Sequence, residues 1–132
     1  MKVLNVVSIL SPLLGGGVAE RTIQMSHYLA KSGVETSVLT VNYGIDEDTL
    51  KYLENVKIIA LSLLARRFYI PFPNIKKINN AVRNSDVIHF SNHWGVLNSL
   101  VFLSNLMYKK PYAVCPAGGL KISGRSRLLK AL

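Results

Sequence analysis

Residues 2–41, KVLNVVSILSPLLGGGVAERTIQMSHYLAKSGVETSVLTV, decide the fold. Lys2–Ser8 is β-branched and compact, the composition of a buried parallel strand. Ser11–Gly17 (SPLLGGG) reads as turn material. From Val18 to Ser32, apolar or small residues recur at Val18, Thr22, Met25 and Leu29, close to helical spacing. Gly33 then stands where a left-handed C-terminal cap is wanted. Glu35–Val41 (ETSVLTV) alternates and is rich in β-formers, so it reads as a second strand. Strand, glycine turn, helix, glycine stop and strand within about forty residues mark a βαβ unit.

The alternation continues downstream. Asn42–Leu53 is acidic and irregular, a surface loop with a short helical turn. Val56–Leu61 is a third strand. Leu63–Pro73 (LLARRFYIPFP) mixes apolar, aromatic and basic residues and suits a loop or a short interfacial helix. Asn74–Asn84 places Ile75, Ile78 and Val82 on one helical face after Pro73. Asp86–Phe90 is a fourth strand, Trp94–Tyr108 a largely buried helix, Tyr112–Cys115 a fifth strand, and Ser126–Leu132 the start of another helix. The expected fold is α/β, a doubly wound, mostly parallel Rossmann-like sheet of about five strands with right-handed crossovers. The 132 residues suit one domain. The short, uncapped last helix suggests that this domain is incomplete.

Composition excludes several classes. Hydrophobic residues make up 49% and charged residues 17%, enough apolar material for a core and too little charge for wholesale disorder. One cysteine, Cys115, permits no intrachain disulfide and no multi-cysteine zinc site. No stretch approaches the roughly 20 clean apolar residues of a membrane span. Met1–Ala19 imitates a secretory signal, but Asn5, Ser8, Ser11 and Pro12 interrupt its apolar region. Read as strand and turn, it leaves the chain cytoplasmic. The net charge of +9 is uneven. Residues 1–54 carry 4 basic and 6 acidic side chains; residues 55–132 carry 12 basic and a single acid, Asp86. The second half is therefore expected to face an anionic partner: membrane headgroups, nucleic acid or a phosphorylated substrate. Nucleic acid fits the charge, but no recognition motif accompanies it.

Ligands of open α/β sheets bind beyond the carboxyl ends of the strands, which nominates the loops Ser11–Gly17, Ser91–Gly95 and Pro116–Gly124. Gly15, Gly16 and Gly17 precede a helix N-terminus, where bare backbone and the helix dipole favour an anion; a flexible turn without a ligand explains them equally well. Neither the dinucleotide fingerprint nor a P-loop is present. His93 and Trp94 could hydrogen-bond to and stack on a sugar, although packing and solvation alone also account for them. Gly118, Gly119 and Lys121 lie in a basic segment that could face an anion or be a solvated turn. Arg66, Arg67, Phe68 and Tyr69 interleave cations and aromatics, as at a membrane interface or over an acceptor pocket. His89 reads as a buried, hydrogen-bonded core histidine, His27 as structural, and Cys115 as an inert core thiol. Glu20 complements the dipole of the first helix.

Together the opening strand, Gly16-Gly17 with Glu20 three residues on, SDVIHFSNHWG before an apolar helix, and KKPYAVCPAGGL before a basic run resemble glycosyltransferase family 4. The similarity covers nearly the whole chain in the right order. It implies GT-B architecture, two Rossmann-like domains with a nucleotide sugar between them, and makes residues 1–132 most of the acceptor-side domain. Gly15–Gly17 would approach the donor diphosphate, while His93, Trp94, Gly118, Gly119 and Lys121 would shape the acceptor site. The family usually retains anomeric configuration and needs no metal. No cofactor is implied beyond the nucleotide-sugar substrate. Where the family often places a histidine after the fifth strand, this chain has Ala117.

The resemblance further implies a partner: a donor-binding C-terminal domain, in cis or in trans, whose basic residues stabilise the leaving diphosphate. Residues 1–132 alone are expected to transfer no sugar. The acceptor class is a glycan or a lipid-linked glycan, with the chain at the inner membrane face. Two alternatives stay open: a non-catalytic subunit that recruits a separate catalytic chain, and a small nucleotide-binding regulatory domain with a flavodoxin-like sheet.

Overall fold

A computed structural model describes residues 1–65, 70–91 and 95–115. Five parallel strands form the sheet: β1 (Lys2–Val6), β2 (Glu35–Val41), β3 (Lys57–Leu61), β6 (Val87–Phe90) and β7 (Tyr112–Val114). Their order is β3-β2-β1-β6-β7. The chain winds outward from β1 in one direction, then returns to its other side, which is the doubly wound arrangement expected from the alternation. The helices are α1 (Pro12–Lys31), α2 (Glu47–Tyr52), α3 (Ile75–Arg83) and α4 (Val96–Tyr108).

Strand periodicity sends alternate side chains to opposite faces. Leu4, Val6, Leu39, Ile88 and Phe90 close one core with Ile78, Ala81 and Val82 of α3 and Leu97 and Val101 of α4. Val38 packs the opposite core with Val7, Leu10, Ile23 of α1, Leu53 and Val56. Each large aliphatic side chain so buried contributes roughly 1.5–3 kcal/mol, and most of these are under 2% exposed.

Helix ends follow the local sequence. Ser11 caps α1 through Oγ, which accepts from Leu14 N at 3.3 Å, and Pro12 supplies the preset first φ. At the other end Gly33, at φ 92°, lets Gly33 N donate to Ala30 O and Val34 N to Leu29 O. That is a complete Schellman closure.

Three expectations are corrected. The segment read wholly as a turn, Ser11–Gly17, holds a capped helical turn from Pro12, and only Gly16 breaks the helix (φ 60°, ψ −144°). Leu63–Pro73, read as a loop or interfacial helix, contributes two short antiparallel strands, β4 (Leu63–Ala65) and β5 (Ile70–Pro71). Proline is tolerated there because this two-stranded ladder stands apart from the main sheet. The helix read as largely buried, α4, buries one face and exposes the other: Leu103, Leu106 and Met107 are 64%, 71% and 69% exposed. The helix expected at Ser126–Leu132 lies outside the described residues.

Candidate functional site

The crossovers leaving β1 and β6 part to opposite faces of the sheet, so the carboxyl edge between these neighbours is a topological switch point. Parallel pairing aligns them: Asn5 is opposite His89 and Val6 opposite Phe90. Beyond the strands, Ser91 N donates to Val6 O at 3.0 Å. Gly95 then returns the chain against β1. Its φ is 122°, and a β-carbon there would lie 3.1 Å from Ser8 Oγ. A side chain at position 95 would thus meet both backbone strain and a close neighbour.

Two helix N-termini converge on this edge. α4 starts from Gly95 with no side-chain cap on its first amides. The regular part of α1 starts after the break at Gly16. Gly16 and Gly17 are exposed, and a β-carbon on either would meet nothing within 4 Å. Glycine at 16 therefore answers to the backbone angle and not to crowding. Gly15 lies in the first turn of α1. Exposed amides beside a helix start are suited to an anionic group.

One turn further along α1, two side chains bind the helix to the β6 loop. Arg21 Nη2 donates to the Ser91 carbonyl at 2.8 Å. Thr22 Oγ1 donates to Val18 O at 2.9 Å and sits 2.6 Å from Ser91 Oγ. Beneath them, Asn5 Nδ2 donates to Ser26 Oγ at 2.8 Å, while Asn5 Oδ1 and His89 Nδ1 are buried with no hydrogen-bond partner. His89, expected to be a buried, hydrogen-bonded core histidine, is half-buried, and its Nδ1 makes no hydrogen bond. Burial, and then the Arg21 charge, push its pKa below the ordinary 6.5, favouring the neutral imidazole.

The other residues read from sequence fall as follows. Arg66, Arg67, Phe68, Tyr69, His93, Trp94, Ala117, Gly118, Gly119 and Lys121 lie outside the described residues. Glu20 is exposed and accepts from Gln24 Nε2 at 2.9 Å, one turn along α1. His27 stacks on Tyr52 at 4.0 Å between ring centroids and joins α1 to α2. Cys115 is half-buried beyond β7, not enclosed in the core, because β7 is an exposed edge strand. The sequence nominated the Ser91–Gly95 loop but gave no role to the side chains of Arg21, Thr22 or Ser91. The available signal was their position: Arg21 and Thr22 occupy the first turns after the glycine break, and Ser91 follows the strand opposite.

A cavity of about 460 Å³ lies at the other, amino edge, lined by Lys2, Glu35, Lys57, Lys77 and Ser85 among others. Its size does not make it the site, because Lys77 Nζ is held by the Ala60 carbonyl at 3.0 Å and the crossovers do not part there. Among the described residues, no group of three His, Cys, Asp or Glu side chains could hold a metal ion. None of the described helices is long and apolar enough to cross a membrane. No protein-family model matches the sequence, and no curated protein matches it.

Proposed function

We propose that this chain is the acceptor-side Rossmann-like domain of a GT-B glycosyltransferase that moves a sugar from a nucleotide-sugar donor to a glycan or lipid-linked acceptor. The observation that carries this reading is the exposed Gly16–Gly17 break at the switch-point edge. These exposed glycines lie where a donor diphosphate could be met, and the sequence motifs around them resemble glycosyltransferase family 4. Arg21 and Thr22 hold the β6 loop against α1, so the two loops that would meet donor and acceptor keep a set spacing. A half-buried neutral His89 beneath them suits an uncharged sugar hydroxyl better than a second cation would.

In this reading catalysis requires a donor-binding domain, in cis or in trans, because charge stabilisation of the leaving diphosphate is the largest demand on the site. The test pairs the chain with such a domain and follows release of nucleoside diphosphate from a panel of nucleotide sugars. The expected result is acceptor-dependent release, reduced about 10²-fold by Gly16→Val, since one misdirected backbone donor costs on that order. Release that Gly16→Val leaves unchanged, or turnover by residues 1–132 alone, would refute the reading.

A further inference from the structure

α4 carries large apolar side chains on both its inner and its outer side, yet only the inner side is covered. Leu97 and Val101 face the core, and the polar Asn98, Ser104 and Asn105 are also buried on the inner side. Ser104 Oγ meets Asn79 Oδ1 of α3 at 2.6 Å, which fixes α3 alongside. Outward stand Val96, Ser99, Leu103, Leu106 and Met107, and the last three form a stripe at the i, i+3, i+4 spacing of one helical face. Three large apolar side chains grouped on one exposed face form a patch of the kind that marks an interaction surface.

The surroundings of the stripe indicate what covers it. On α3, Ile78, Ala81 and Val82 are buried, so helical geometry turns Lys76 and Arg83 to the outside of the same layer; both are exposed. Lys109 and Lys110 follow the last turn of α4. Between residues 55 and 115 the one acid is Asp86, and its Oδ2 accepts from Lys2 N at 2.7 Å on the amino edge. Large apolar side chains flanked by cations and no acid form an interfacial surface for anionic headgroups.

We propose that the outer face of the α3–α4 layer seats on an anionic bilayer, with Leu103, Leu106 and Met107 entering the headgroup region and Lys76, Arg83, Lys109 and Lys110 meeting phosphates. A second copy of the chain is a poor occupant, since a two-fold contact would set these cations against themselves. Residues 116–132 are no better, because they add Lys121, Arg125, Arg127 and Lys130 without an acid. The seating deepens the lipid-linked option of the proposed function but does not require sugar transfer.

Co-sedimentation with vesicles of phosphatidylglycerol and phosphatidylcholine, against phosphatidylcholine alone, tests it without any glycosyl donor. Binding is expected to favour the anionic vesicles about tenfold or more and to weaken in ~0.5 M salt, where screening shortens to a few ångström. Changing Leu103, Leu106 and Met107 together to Ser is expected to abolish binding while far-ultraviolet circular dichroism stays unchanged. Lys76→Gln with Arg83→Gln, at exposed positions, should weaken binding about tenfold even if the serine variant fails to fold. Three results overturn the proposal: equal binding to neutral vesicles, full binding by the folded serine variant, or a dimer that the serine substitutions dissociate. Absence of vesicle binding overturns it too and directs attention to an acidic protein partner.

Discussion

Beneath α3 and α4, the sheet presents Leu4, Val6, Leu39, Ile88 and Phe90, and the helices answer mainly with apolar side chains, Ile78, Val82, Leu97, Val101 and the Phe102 ring among them. Beneath α1, the same two central strands present Asn5, which bonds to Ser26, and His89, and Ser91 beyond β6 meets Arg21 and Thr22. One face maximises burial. The other accepts polar atoms in the interior, two of them without partners, although an unsatisfied buried polar atom costs about 1–3 kcal/mol. Such a cost concentrated at the switch-point edge is the pattern expected of a site, whereas the apolar face is scaffold. The outer surfaces differ as well: α1 shows solvent a mixed polar face, while α4 shows it leucine and methionine.

The contrast can be broken most severely at Phe90. Its ring is fully buried, stacked 4.5 Å from Phe102 and edge-on to Tyr112. Phe90→Ala is expected to lower unfolding free energy by about 3–5 kcal/mol in urea titrations, through lost transfer energy and the cavity left behind. On the polar face, Thr22→Val leaves the buried Ser91 hydroxyl without the Thr22 oxygen and should cost about 1–3 kcal/mol. Adding Ser91→Ala should recover most of that loss. If the double variant is no more stable than the single one, the pair is not coupled as its 2.6 Å separation indicates.

The smallest effect is the most particular to the α1 face. Because His89 is held below 6.5 when folded, the unfolded chain takes up the proton first as acid is added. The contribution of neutral His89 is therefore complete above about pH 6.5 and is lost as pH falls through the window below it. Urea midpoints at about pH 7.5 and pH 5.5 should show this decline, and His89→Gln should flatten it. An unchanged slope in that variant would assign the decline to another group.

The alternating strands and helices were legible from residue 2 onward because buried parallel strands need unbroken β-branched runs and helices need a 3.6-residue stripe. The bounds of β2 agree residue for residue, and Gly33 was recognisable as a cap because a positive φ at a helix end selects for it. The glycine segment was half legible: its conformational freedom shows in composition, but Ser11 as cap and a single break at Gly16 depend on which amide meets which oxygen. Arg21 and Ser91 are 70 residues apart, and no local pattern announces their bond.

By itself, the order of residues determined that this chain builds a parallel α/β sheet and that its cations gather in the second half, since both follow from local periodicity and counting. Only the tertiary structure decided that β1 and β6 lie side by side, that Asn5 and His89 share a buried face, and that the outer stripe of α4 is left open. Those outcomes depend on which segments meet after long crossovers, and contact between distant segments is chosen by packing of the whole chain.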